Sequence, residues 1–172
     1  MNRRIAMWMG AMMLFVWPVV GRAQGKPEAK AGGQTLVVKV KYKGKGVVDE
    51  KHKVYVMVVD NDPYASDVLA DATSTQAIDP AQAKGKKIAY IMQRQGASSK
   101  EQTLTFSGLT SSPVYVVAFF DESGTYEKNS APGPGSPAGQ YGATPWKPDP
   151  IKLKDGKPVE VKMQFDDSSK TP

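Results

Sequence analysis

The sequence contains no cysteine and only one histidine, His52. Without cysteine, disulfide frameworks, thiolate metal sites and cysteine nucleophiles are excluded. A single histidine argues against polyhistidine zinc sites and against most catalytic triads. The glycines follow neither the phosphate-loop pattern nor the nucleophile-elbow pattern. These absences predict a protein that is not an enzyme.

The N-terminal segment 1–23 has the layout of a secretory signal peptide. Two arginines precede the apolar run 5–20, and Gly21 and Ala23 then stand at positions −3 and −1 of a signal-peptidase site. The run falls short of the roughly 20 apolar residues that span a bilayer. We therefore expect a secreted or periplasmic protein with no stable membrane span after cleavage. An uncleaved membrane anchor is the alternative.

Charge gives little indication of a polyanionic partner. Residues 1–23 hold three arginines and no acidic residue, so their removal lowers the net charge from +6 to +3. We expect no nucleic-acid partner for so mildly basic an exported chain. Six lysines cluster around a predicted first hairpin, where they form either a surface for an envelope polyanion or, as we favour, a solvated strand face. They are Lys39, Lys41, Lys43, Lys45, Lys51 and Lys53.

The body of the chain has the periodicity of β-strands. From Thr35, apolar residues alternate with lysines, which is typical of a half-buried strand. The runs 53–59 and 114–120 are apolar on both faces and predict central strands. Alternating residues on either side of Asp155-Gly156 predict a hairpin.

The remaining segments carry weaker patterns. We interpret 61–86 as a long connection with room for a short helix, and 93–100 as a polar turn. The segment 129–150 carries six prolines and four glycines, which predicts a loop without regular structure. Loops of this length inside a domain are usually functional or disordered.

These patterns predict one all-β domain at residues 34–168, between a flexible leader at 24–33 and a tail at 169–172. About seven antiparallel strands, too short and too two-sided for one open sheet, favour two packed sheets, a β-sandwich with a long Gly/Pro-rich loop. We expect a monomer.

The order of signals from residue 104 onward is more specific. A short strand and the turn SGL are followed by PVYVVAFFDESG, a Gly/Pro-rich segment ending in GQYG, PIKLKDGKPVEV and FDDS. This order resembles the prealbumin-like (transthyretin-like, carboxypeptidase-regulatory-like) β-sandwiches of bacterial exported proteins of unknown function. The resemblance spans roughly residues 34–168, and implies a seven-stranded sandwich without enzymatic activity. Where that pattern often has repeated Asp and Asn, this chain has DESGT at 121–125.

Acidic residues at two predicted strand ends form a candidate metal site. If strands alternate in direction from residue 114 onward, Asp121 emerges at the same end of the sandwich as Asp166 and Asp167. With Ser123 and backbone carbonyls they approach the 6–8 oxygens that calcium takes. The alternative, which we favour, is ordinary turn chemistry, because Asp and Ser bond their own backbone and Gly supplies a positive φ. We therefore predict no obligatory cofactor and keep calcium as a candidate.

Three aromatic residues lie in or beside the long loop: Tyr126, Tyr141 and Trp146. Exposed rings on a stiff loop can stack on sugars or anchor a protein partner. The alternative, which we favour, is that Trp146 folds back over an edge of the core. We predict a non-catalytic binding or structural module that presents loops to an envelope protein or carbohydrate. The alternative function is a metal-dependent hydrolase, or an accessory subunit of an enzyme, with its site at the Asp121/Asp166 end.

Overall fold

In the described parts of this chain the regular structure is strand rather than helix. The computed structural model describes residues 33–70, 84–126 and 133–171, and these contain no helix. The strands are β1 (Gln34–Tyr42), β2 (Val54–Val59), β3 (Val68–Ala70), β4 (Lys87–Ala89), β5 (Ile91–Ala97), β6 (Glu101–Leu109), β7 (Tyr115–Phe120), β8 (Ala138–Gln140) and β9 (Val159–Phe165). The prediction of an all-β fold is confirmed for these parts of the chain. The predicted signal peptide, and the leader up to residue 32, lie outside the described residues.

Seven of these strands form two larger sheets. The first has the order β6-β1-β9 and the second the order β5-β2-β7-β8, while β3 and β4 form a small parallel pair. Neighbours in the larger sheets are antiparallel except for β1 and β9, which run parallel from Leu36 opposite Val159 to Tyr42 opposite Phe165.

Both larger sheets contribute to one hydrophobic core, an arrangement compatible with a β-sandwich. Alternate residues of β1 and β2 point inward, as strand geometry requires. The buried cluster includes Leu36, Val38, Val40, Val54, Val56, Val58, Phe106 and Phe120. The opposite face of the second sheet carries a smaller cluster around Met57, Val117 and Phe119.

The strand pairing of both predicted hairpins, the first hairpin and the one around Asp155-Gly156, is wrong. β1 and β2 lie in different sheets. The Asp155-Gly156 turn does form, and Gly156 adopts a φ of 68°, but the chain before the turn does not pair with β9. Instead Ile151 forms a single bridge to Val114, and β9 joins β1. Burial explains the difference, because Ile151 and Leu153 enter the core as the chain crosses between sheets.

Three segments predicted to lack strands contain them. β5 occupies most of the predicted polar turn 93–100, and its Gln93 and Gln95 side chains donate to the carbonyls of Ser107 and Thr105 at 2.6 Å each. These bonds let a polar edge strand lie beside β6. β3 replaces part of the short helix considered within 61–86, and residues 71–83 lie outside the described residues.

β8 lies within the predicted irregular loop, and its outer edge is covered by the predicted tail. The backbone N–H of Ala138 donates to the carbonyl of Ser169 at 2.9 Å, and that of Thr171 donates to Ser136 at 2.9 Å. Pro137 stands immediately before β8, where its missing N–H removes no bond of the β7–β8 pair. The ordered body therefore continues beyond residue 168. Within the described ranges no helix has the length and apolar character needed to cross a membrane.

Candidate functional site

Asp121, the first predicted metal ligand, forms a closed turn. Its side chain is buried, with 5% exposure. One carboxylate oxygen accepts hydrogen bonds from Ser123 Oγ at 2.8 Å and from Gly124 N at 3.1 Å, and the other accepts one from Tyr126 N at 2.8 Å. Gly124 has a φ of 63°. This is the turn chemistry that the sequence also allowed.

Asp166 and Asp167 form separate hydrogen-bonded sets. The backbone N–H of Lys45 and then the hydroxyl of Tyr42 lower the pKa of Asp167, through bonds of 2.9 and 2.5 Å. Hydrogen bonds from Ser168 lower the pKa of Asp166. Tyr42 contacts both Phe120 and Phe165, so the ends of β7 and β9 do meet as predicted.

The predicted metal set is nevertheless not assembled. Across the described ranges, no three His, Asp or Glu residues form a group that could hold a metal ion. The carboxylates of this end instead serve as acceptors that fix turns and the buried hydroxyl of Tyr42.

The three predicted ligand-binding aromatics lie in three different surroundings. Tyr126 packs against Tyr55 and Phe119, with ring centroids 4.4 and 4.8 Å away, and its hydroxyl accepts a hydrogen bond from Arg94 at 2.6 Å. Tyr141 is partly buried against the main core. They therefore do not form one platform with Trp146.

Trp146 is the aromatic that remains available to a ligand. It is 37% exposed and contacts Tyr64 edge to face, with ring centroids 5.0 Å apart and planes at 85°. It is not among the residues of either buried cluster. Its φ of 59° makes it the sole non-glycine residue with positive φ in the described structure. That conformation costs about 1–2 kcal/mol for a residue with a side chain.

The loop that carries Trp146, residues 141–149, is tied at several points. Asp149 N donates to the carbonyl of Tyr141 at 2.8 Å, which closes the loop at its ends. Inside it, the carbonyl of Thr144 accepts bonds from Lys147 N at 3.2 Å and from the Gln140 side chain at 2.8 Å. We call this segment the Trp146 loop. Its hydrogen bonds fix the backbone that carries the indole, and Trp146 is 37% exposed.

Tyr64 is a candidate functional residue that sequence reasoning missed. Asp62 accepts a hydrogen bond from Tyr64 N at 2.9 Å and so fixes the turn that follows β2. Burial and the negative charge of Asp62 raise the pKa of Tyr64 to about 12, although 38% of the residue is exposed. The turn residues of the segment DNDP gave a signal for an exposed loop, but none for its contact with Trp146.

A polar cleft of about 230 Å³ lies beside the Trp146 loop, between β8 and the end of β9. Its floor includes Gly139, where a Cβ atom would lie 2.3 Å from Cβ of Phe165, so only glycine fits. Its polar side chains come from segments far apart in sequence, which is why sequence reasoning missed it. They are Lys43, Gln140, Gln164, Asp166, Ser168 and Ser169.

Three of the six lysines of the predicted cluster form ion pairs with glutamates. Lys39 and Lys41 form exposed ion pairs of 2.6 Å with Glu160 and Glu101. Lys53 forms one of 3.1 Å with Glu50. The pairing offsets the positive charge that a polyanion would need.

Comparisons of the chain with protein-family models, with curated proteins and with solved structures gave no match.

Proposed function

We propose that this chain is an exported, non-catalytic β-sandwich module of the prealbumin-like type, whose Trp146 loop binds carbohydrate. One observation carries the proposal: an exposed tryptophan is held in a left-handed backbone conformation by a hydrogen-bonded loop. Export rests on the signal-peptide pattern of residues 1–23, and the family on the order of strand and turn signals.

The conformation of Trp146 supports a binding role over a packing role. Glycine would adopt a φ of 59° without the strain that a side chain adds. The indole joins neither buried cluster and packs edge to face on Tyr64. Strained residues of this kind concentrate at functional sites. The exposed part of the indole can stack on the apolar face of a sugar ring.

We propose a non-catalytic role because the acidic residues already accept hydrogen bonds from their own turns and neighbours. Both oxygens of Asp121 accept hydrogen bonds from its own turn, and Asp167 accepts them from Tyr42 and Lys45.

A printed array of neutral and acidic glycans tests the proposal, with the protein purified after expression of the full chain. Stacking on one indole face buries about 80 Å² of apolar surface, worth about 2 kcal/mol or about thirty-fold in affinity. We expect at least one glycan to bind, and Trp146→Ala to weaken it by about that factor. Tyr90→Ala is the matched control, because Tyr90 is an exposed aromatic that does not line the cleft. Binding that is absent from the whole array, or unchanged in Trp146→Ala, would overturn the proposal.

A further inference from the structure

The polar cleft shares a wall with the Trp146 loop. Gly142, Ala143 and Pro145 belong to this loop and line the cleft, so the segment that carries the indole also bounds the cleft. The rest of the lining includes residues 164–166, 168 and 169, at and beyond the end of β9. Trp146 itself does not line the cleft, but its neighbour Pro145 does, so the loop that carries the indole also carries part of a second set of binding groups.

The size of the cleft limits what can enter it. Sites for drug-sized ligands measure about 300–1,000 Å³, whereas this cleft measures about 230 Å³. A group as large as one sugar ring is the expected occupant. Gln164, Asp166 and Ser168 are exposed to solvent, so the cleft is open and a ligand chain can continue out of it.

The charges of the cleft favour a neutral ligand. Lys43 and Asp166 carry opposite charges, and the positive charge of Lys43 contributes to lowering the pKa of Asp166, after the hydrogen bonds from Ser168. Gln164 and Ser168 each offer a donor and an acceptor. Sugar hydroxyls also donate and accept, and they match this mixed set without requiring a net charge.

We infer that the polar cleft is a second subsite, which binds the sugar unit adjacent to the one stacked on Trp146. The ligand is then a neutral oligosaccharide of at least two units. This inference rests on the proposed function and adds to it a ligand class, a minimum length and a set of hydrogen-bonding residues.

Titration calorimetry with saccharides of increasing length tests the inference. The probes are the mono-, di- and trisaccharide of the neutral glycan that binds most tightly in the array; for a β-1,4-glucan these are glucose, cellobiose and cellotriose. Each neutral hydrogen bond contributes about five-fold in affinity. We expect the disaccharide to bind about twenty-five-fold more tightly than the monosaccharide, which corresponds to two such bonds.

Two variants separate the cleft from the indole. Ala143→Phe fills the cleft, because Ala143 is exposed on its wall, and Gln164→Ala removes a hydrogen-bonding side chain. We expect the gain from monosaccharide to disaccharide to disappear in Ala143→Phe and to fall about five-fold in Gln164→Ala. Thr103→Ala on β6 is the control, and the melting temperature of each variant reports its folding. Should Ala143→Phe not fold, Gln164→Ala still decides.

The outcomes distinguish this inference from the proposed function. Equal affinity for all three lengths, or a gain that persists in both cleft variants, overturns the second subsite while the requirement for Trp146 stands. Tighter binding of a uronate oligosaccharide than of its neutral counterpart overturns the neutral ligand class. Binding of an extended peptide in place of every glycan overturns both proposals.

Discussion

The buried hydroxyl of Tyr42 offers the most quantitative test of how the end of the domain is held together. The ring is 2% exposed, stacks on Phe120 with centroids 4.7 Å apart and contacts Phe165. Its hydroxyl donates a 2.5 Å hydrogen bond to Asp167. Tyr42→Phe removes this bond and keeps the ring, so no cavity complicates the measurement.

The magnitude follows from the surroundings of the acceptor. A hydrogen bond to a charged group contributes about 1.5–3 kcal/mol. Asp167 is partly exposed and keeps its bond from Lys45 N, so water replaces part of what is lost and the effect is reduced. We expect Tyr42→Phe to lower the free energy of unfolding by about 1–2 kcal/mol at pH 7.

The raised pKa of Tyr42 also predicts how the difference in stability between wild type and Tyr42→Phe changes with pH. Burial, followed by the hydrogen bond and charge of Asp167, raises the pKa of Tyr42 above its usual range. A raised pKa contributes stability that is complete below the unfolded-state value of 10.0 and is lost as pH rises above it. The difference between wild type and Tyr42→Phe must therefore shrink above pH 10, because only the wild type carries this group.

Urea denaturation at pH 7 and at pH values above 10 measures both effects, with Tyr90→Phe as an exposed control. A variant as stable as the wild type at pH 7 would refute the role of this bond. A difference that grows with alkaline pH would refute the assignment of the raised pKa.

Packing under the cleft, metal binding and export each give a further prediction. Gly139→Ala should lower the free energy of unfolding by about 1–3 kcal/mol, since its Cβ would lie 2.3 Å from Phe165 Cβ. Gly133→Ala has 3.7 Å of space and should change it by less than about 0.5 kcal/mol in the same urea titration. In thermal unfolding, millimolar calcium should leave the melting temperature unchanged. A rise of several degrees would contradict this prediction and support the metal-site hypothesis. N-terminal sequencing of the exported product should begin at Gln24, and a retained Met1 would contradict cleavage.

The all-β class and many strand positions followed from the sequence because alternation encodes which side chains are buried. Leu36, Val38 and Val40 alternate with exposed or half-buried neighbours in β1, and β9 repeats the pattern at Val161 and Met163. The turns were also predictable from their residues, since Gly124 and Gly156 both adopt positive φ.

The pairing of the strands could not be predicted from the sequence. Alternation shows which face of a strand is buried, but it does not show which strands lie beside it. β9 pairs with β1, more than 100 residues away in sequence, and not with the chain across the Asp155-Gly156 turn. β5 was missed because its polar side chains resemble those of a loop until the carbonyls of β6 are placed beside them.

The candidate site was only partly predictable, for the same reason. Trp146 could be identified as an aromatic on a stiff loop, but its contact with Tyr64 joins two loops that are distant in sequence. The grouping of Tyr126 and Tyr141 with it failed because each packs against a different buried cluster. The cleft depends on β8 lying next to the end of β9, which no local pattern encodes.

The fluorescence of Trp146 tests the central proposal most directly. Once residues 1–23 are removed, Trp146 is the sole tryptophan in the chain, so its emission reports one position. Titration with the neutral disaccharide identified on the array should change the emission saturably, with the same midpoint as calorimetry. An emission spectrum that stays constant while calorimetry records binding would place the ligand elsewhere and contradict the proposed site.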